Sequence, residues 1–273
     1  MSQQRYTIND LLTVMARLRE PDFGCPWDLE QSYRTIAAST LEEAYEVVDA
    51  IEQDKADQLK EELGDLLFQV VFYSQLGTED QRFSFDDVTS SITAKLLRRH
   101  PHVFPDGTLN SRIDLADLDV DRRQASIKAT WERIKREERE QKGFHGIMDD
   151  VPTALPATIR ATKLQKRAAS VGFDWDKVEG VYAKITEEIA ELKEATEAAV
   201  PAAIEEELGD LLFSVINLAR HLKVEPETAL RKANRKFEQR FTNMESIAEA
   251  EATSLNEQTV QTLNEWWRQA KEL

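Results

Sequence analysis

The sequence predicts an all-α protein made of two tandem helical bundles, and three observations carry that reading. The string Glu-Leu-Gly-Asp-Leu-Leu-Phe occurs at Glu62–Phe68 and again at Glu207–Phe213, 145 positions later (207 − 62 = 145). Similarity at a fixed offset marks a duplicated structural unit. Apolar residues recur at three- and four-residue spacing, and no convincing run alternates as a strand would. Short polar links separate the periodic segments, as between neighbouring helices of a bundle. At 273 residues the chain exceeds one typical domain of roughly 100–200 residues, and each half is long enough to bury a core.

Taken in order, Leu41, Ala44, Tyr45, Val48 and Ile51 repeat at helical spacing, while Glu42, Glu43, Glu46 and Asp49 occupy other faces. Ser39 or Thr40 suits a local N-cap, and an earlier start after Asp28 is the alternative. After a polar break at Gln53–Asp57, the next helix is expected to bury Leu59, Leu63, Leu66, Leu67 and Val70, with Glu62 and Asp65 one turn apart on its flank. A basic helical segment follows, with Lys95, Arg98, Arg99 and Phe104, and His100-Pro101-His102 reads as a capping or packing turn. Asp106–Asp121 is a polar excursion peculiar to the first half.

The charged helix Trp131–Lys142 closes the first domain, residues 1–142; Gly143, Gly146, Pro152 and Pro156 punctuate a linker over 143–157; the second domain spans 158–273. There, Val181–Ala198 is helical, Pro201 opens the next helix, and Leu208, Leu211, Leu212 and Val215 form its stripe. Lys232, Arg235, Lys236 and Phe241 repeat the earlier basic segment at a changed offset (232 − 95 = 137), so a connection is shorter in the second half. Trp266 and Trp267 suit either a terminal amphipathic helix docked on the bundle or a stack on a base.

Composition narrows the class. With 41% apolar and 32% charged residues the chain is ordinary for soluble helices. No apolar stretch reaches the roughly 18–20 residues of a spanning helix, and Met1–Arg5 leads into no signal-peptide core. The single Cys25 makes no internal disulfide. The expectation is a soluble cytoplasmic protein. A net charge of −16 opposes association with nucleic acid or an anionic membrane, but not a nucleotide ligand whose phosphates arrive with metal ions.

Four carboxylates recur in register: Glu43, Glu46, Glu62 and Asp65, then Glu188, Glu191, Glu207 and Asp210. Residues three apart share a helix face, so each pair presents two acids together, and an antiparallel pair of helices brings both sets to one site. Such clustering costs free energy unless protons or cations intervene. None of the four histidines stands at zinc-like spacing from a cysteine or carboxylate. A hard cation with oxygen ligands, Mg²⁺ with Mn²⁺ second, fits the set. A solvated acidic face is the bland alternative, and it requires no fixed repeat. Gly64 and Gly209 inside these helices each cost about 0.5–1 kcal/mol relative to alanine, which suggests that a neighbouring helix or ligand comes close there. The basic segments suit either phosphate contacts or solvated faces.

These residues closely resemble the MazG family of nucleoside triphosphate pyrophosphohydrolases, marked by Glu-Glu-x-x-Glu followed by Glu-x-x-Asp. Both copies are present, as Glu42-Glu43-x-x-Glu46 with Glu62-x-x-Asp65 and as Glu187-Glu188-x-x-Glu191 with Glu207-x-x-Asp210. Gly24-Cys25-Pro26-Trp27-Asp28, Arg99-His100-Pro101-His102-Val103-Phe104 and Val171-Gly172-Phe173-Asp174-Trp175 extend the likeness over nearly the whole chain, to the tandem two-domain form.

The resemblance implies an all-α, Mg²⁺-dependent homodimer that hydrolyses nucleoside triphosphates between the α- and β-phosphates. It implies both quartets as metal ligands, Lys184 as a triphosphate contact, and Lys232, Lys236, Trp267 and Lys271 as further phosphate and base contacts. Glu187, with Glu206 second, is the candidate to orient or deprotonate water. Ser39 stands where Lys184 stands in the second copy, which agrees with main activity in the C-terminal domain. Two alternatives remain: a narrow house-cleaning hydrolase for dUTP or damaged nucleotides, and a regulatory interaction protein with a structural metal.

Overall fold

A computed structural model describes residues 5–112 and 120–272, with the side chains of 120–126, 128 and 129 outside the description. Residues 113–119 of the polar excursion, and the side chain of its last residue Asp121, therefore lie outside it. The described chain is helical, with no strand among the described residues. It separates into two compact units, Met1–Lys135 and Arg136–Leu273, and the division falls inside one helix.

In the first unit, α1 (Ile8–Leu18) and the short α2 (Pro26–Glu30) precede α3 (Ala37–Glu52) and α4 (Ala56–Glu79), and α5 (Phe85–Arg99) follows; α6 (Val120–Gln141) carries the division. The second unit holds α7 (Ala157–Ala169), α8 (Val178–Glu197), α9 (Pro201–His221), α10 (Pro226–Ala250) and α11 (Val260–Gln269). The centre of each unit is a hairpin, α3 with α4 and α8 with α9. The duplication extends to the backbone of these hairpins. Asp54 and Ala199, 145 apart, both take the left-handed conformation, φ 56° and 52°, to turn the chain.

The start of α3 differs from expectation. Ser39 and Thr40 lie inside its first turn rather than at its cap, where Ile36 stands, and the segment after Asp28 is the separate helix α2. The Thr40 hydroxyl bonds the Ile36 carbonyl at 3.1 Å and the Tyr73 hydroxyl at 2.9 Å, so it ties α3 to α4 instead. Gly24 permits the turn into α2, because a methyl group there would lie 2.4 Å from the Leu18 carbonyl oxygen. His100-Pro101-His102 is a packing turn, as expected: His100 caps α5 and its ring lies edge-on to Trp131.

The first unit's core is Met15, Ile36, Val71, Phe72 and Leu76, with Leu11, Leu12, Tyr33, Phe68, Tyr73 and Phe85 packed around it. Arg19 braces it, holding Glu79 at 2.7 Å with its guanidinium over the Phe72 ring. In the second unit, α11 docks on α10 by burying Trp266 among Met244, Ala248 and Ala270, with Trp267 partly buried against them.

Two packing expectations are corrected. Leu59 and Leu66 are half-buried, but Leu63, Leu67 and Val70 are exposed, as are Leu41, Tyr45 and Ile51 on α3 and Leu208, Leu212 and Val215 on α9. The face of α4 that fills the core is the one bearing Val71, Phe72 and Leu76. The exposed stripes have no cover within their units, and a contiguous apolar face of this kind marks an interaction surface. Among the described residues, a methyl group at Gly64 or Gly209 meets no atom within 4 Å.

Phe72 is only 1% exposed, so Phe72→Ala is expected to destabilise the first unit by about 3–5 kcal/mol. Urea unfolding followed by helical circular dichroism measures the loss, and a change under 1 kcal/mol contradicts this core assignment.

Candidate active site

Helix α8 buries Val181, Glu188 and Ala195 on one face. A carboxylate thus occupies a core position of a heptad-spaced stripe, and Glu188 is 3% exposed. One of its oxygens meets the Lys184 ammonium at 2.8 Å, one turn earlier. Its other oxygen, Oε2, is buried without a hydrogen-bond partner. A buried carboxylate left half satisfied is costly, and its open oxygen could accept a further cation.

The neighbouring helix supplies more negative charge. Glu207 and Asp210, one turn apart on α9, bring ligand oxygens within 4.8 Å of each other and of Glu188. Glu43, Glu62 and Asp65 repeat the triad in the first unit. The partly buried Glu207 is held above the usual carboxylate range, first by burial and then by the charges of Glu191, Glu188, Glu206 and Asp210. Glu43 is raised by burial and by Asp65, Glu46 and Glu62. Glu46 is raised likewise, by burial and by the charges of Glu62, Glu42 and Asp65. The fourth members, Glu46 and Glu191, therefore stand beside the triads rather than within them. All-oxygen donors, an unpartnered buried oxygen and mutual repulsion fit a hard divalent cation.

Lys184 also bonds Glu187 at 2.7 Å, and the two carboxylates hold its ammonium well above the ordinary lysine range. Glu187 and Glu206 are exposed outside the triad. Lys232 and Lys236 project to solvent from α10. Trp267 lies 5.3 Å from Phe237, with Arg240 and Lys271 over its ring.

Beside the triad, and joined to it by Lys184, the second unit holds a cavity of about 570 Å³ whose walls include Gln165, Phe173, Trp175, Phe213 and Asn217. Trp175 fits because residue 180 is glycine: a methyl group there would lie 2.6 Å from the indole. Asp174 anchors the same loop to the end of α9, accepting from Arg220 at 2.9 Å and pairing with His221 at 3.0 Å. The Arg220 guanidinium keeps the Asp174 carboxyl below its ordinary range.

Reading the sequence for acids passed over this cavity. The signal available was a comparison of the two copies at the 145-residue offset, which pairs Asn217 with Phe72 and Ser214 with Gln69. In the first unit those positions are filled: Phe72 is core and Gln69 is buried.

Raised carboxylates oppose folding at neutral pH. Their contribution is present below the ordinary carboxylate range and is lost as pH rises through the higher folded value. Metal-free Glu207→Gln should therefore melt above the parent protein at pH 8, with the difference vanishing near pH 4. Mg²⁺ at a hundredfold excess over its dissociation constant should add about 2.7 kcal/mol to the parent and much less to the variant. Calorimetric melts with and without chelator test both, and an unchanged Mg²⁺ increment in the variant removes Glu207 from the site.

The model of the MazG nucleotide pyrophosphohydrolase domain matches residues 31–104 and 177–244, so each match contains one carboxylate hairpin. The nucleoside triphosphate pyrophosphohydrolase of Escherichia coli is 50% identical over 266 residues, covering 97% of both chains. The nucleoside triphosphate pyrophosphohydrolase/pyrophosphatase MazG of Thermotoga maritima is 41% identical over 271 residues, 99% of this chain and 98% of that protein. A Mycobacterium tuberculosis nucleoside triphosphate pyrophosphohydrolase is 33% identical over 173 residues, 63% of this chain and 47% of its own length. With both carboxylate hairpins inside matched domains and similarity running end to end, the chain belongs to the MazG family of nucleotide pyrophosphohydrolases.

Proposed function

We propose that the protein hydrolyses nucleoside triphosphates between the α- and β-phosphates, releasing a nucleoside monophosphate and pyrophosphate, at the α8–α9 site of the second unit. The observation that carries this is the half-satisfied, buried Glu188 among Glu207, Asp210 and Lys184. The names of the Escherichia coli and Thermotoga maritima relatives support the reaction class.

Glu188, Glu207 and Asp210, with Glu191 beside them, would hold Mg²⁺ or Mn²⁺. The cation, when bound, supplies positive charge against the phosphate oxygens and the departing pyrophosphate. Lys184 is placed to add a second positive charge by releasing one of its two carboxylates to a phosphate oxygen. Glu187, outside the triad but beside Lys184, takes the role of orienting water and accepting its proton; Glu206 on α9 is the second choice. Lys232, Lys236, Trp267 and Lys271 serve as phosphate and base contacts once a second copy is present.

The homodimer reading is supported by the exposed apolar stripes of the two hairpins. Sedimentation should give twice the chain mass of 31.3 kDa, and Leu208→Asp with Leu212→Asp should shift it toward the monomer. A parent protein that sediments as a monomer at micromolar concentration rejects the dimer.

The two units differ in function. The first keeps its acids but has Ser39 in place of Lys184 and packs Phe72 where the second has Asn217. Glu188→Ala or Asp210→Ala should lower pyrophosphate release at least a hundredfold, while Glu43→Ala keeps most of it. Steady-state assays with Mg²⁺ and a panel of triphosphates decide this; equal losses refute the asymmetry, and NDP with phosphate as products refutes the cleavage site. Activity confined to dUTP would select the narrow house-cleaning reading, and no hydrolysis by Mg²⁺-loaded protein the regulatory one.

A further inference from the structure

The aromatic cavity of the second unit has a wall whose polarity is set by a chain of hydrogen bonds. Asp174 holds Arg220, and Arg220 in turn donates to the Asn217 side chain, Nε at 3.1 Å and Nη2 at 2.7 Å. Arginine carries only donors, so the Asn217 atom that receives both bonds is its carbonyl oxygen. The amide nitrogen of Asn217 is the end left over, on a residue that lines the cavity. Gln165 also lines the cavity, and its amide nitrogen donates to the Phe213 carbonyl at 2.8 Å. That bond leaves the Gln165 carbonyl buried with no partner, on a residue only 6% exposed. Phe173, Trp175 and Phe213 supply apolar surface around these two amides. The volume falls in the range of small-molecule pockets, about 300–1,000 Å³. Lys184 belongs to this cavity and also contacts Glu188 of the acidic triad.

We propose that this cavity receives the nucleobase of the triphosphate and that Asn217 is a specificity-determining residue, its amide N–H donating to an acceptor on the base edge. The proposal rests on the triphosphate reading above and adds to it which side chains sense the base. Arg220 is a positioning residue: it touches no base and fixes which end of the Asn217 amide is presented. Flat aromatic rings with a few oriented polar groups match a heterocycle, which stacks on one and hydrogen-bonds to the other. The first unit differs at this position, because Phe72, packed into its core, stands where the second unit has the half-buried Asn217.

The test compares kcat and KM of the full-length protein for all four ribonucleoside triphosphates. Asn217→Leu, which removes the donor at similar volume, is expected to raise KM about tenfold for the preferred base while kcat stays within about twofold. Asn217→Phe, which copies the first unit, should raise KM for every base. Arg220→Gln should move KM in the same direction, and adding it to Asn217→Leu should change little further, since both act on one contact. Circular dichroism and the Mg²⁺-dependent rise in melting temperature should match the parent in each variant; should Asn217→Phe fail to fold, Asn217→Leu alone carries the comparison.

KM values within twofold of the parent for Asn217→Leu on all four substrates overturn the proposal, as does an apolar side chain of a second copy seated in the cavity. Calorimetric titration of free nucleosides into the parent and Asn217→Phe proteins separates the proposal from the reaction it rests on. Nucleosides that bind the parent and not Asn217→Phe sustain the pocket even if no triphosphate is hydrolysed. Hydrolysis with no nucleoside binding and no effect of Asn217 sustains the reaction and removes the pocket.

Discussion

The site of the second unit is organised by one unpaid electrostatic demand. Glu188 sits where α8 should carry an apolar residue, buried on the same face as Val181 and Ala195. Lys184 answers one of its oxygens and leaves the other without a partner. Glu207 and Asp210 then add like charge within 4.8 Å, so the hairpin is complete only with more positive charge than the unit itself provides. Such a locally costly arrangement of groups is common where side chains are held ready for chemistry.

Duplication offers a comparison inside one molecule. Both units keep the hairpin, the acidic triad and the left-handed residue that turns the chain between its helices. They diverge in what surrounds the triad. The first unit invests Ile36 and Phe72 in a close-packed core braced by Arg19 and Glu79. The second has Val181 and Asn217 at the matching positions, both on a cavity wall. The same helical frame thus trades packing in one copy for an open pocket in the other. The acid cluster recurs in a copy that has Ser39 at the position of Lys184 and Phe72 at that of Asn217.

Much of this was legible in the chain itself. The repeated string, Pro201 at a helix start and the periodicity from Val181 onward located the hairpins to within a few residues, because local spacing and capping act over one or two turns. The triads followed from the same spacing, since residues three apart must share a face. The direction in which α4 and α9 turn their apolar stripes was not legible. Leu63, Leu67, Leu208 and Leu212 fit a core pattern as well as Phe72 does, but which stripe finds a partner within the unit depends on where α1, α5, α7 and α10 pack. The start of α3 was misplaced for a related reason: the Thr40 hydroxyl is taken up by Ile36 and Tyr73, and Tyr73 is 33 residues away.

By itself the sequence determined the helical class, the duplication, and which carboxylates could share a site, because each follows from short-range periodicity and a fixed offset. Only the tertiary structure decided that Glu188 is buried with an unanswered oxygen, that Asn217 faces an aromatic cavity, and that Arg220 orients it from a bond to Asp174. Those facts arise from segments distant along the chain meeting in space, and the lost contact with water that gives them their energetic meaning is a property of packing.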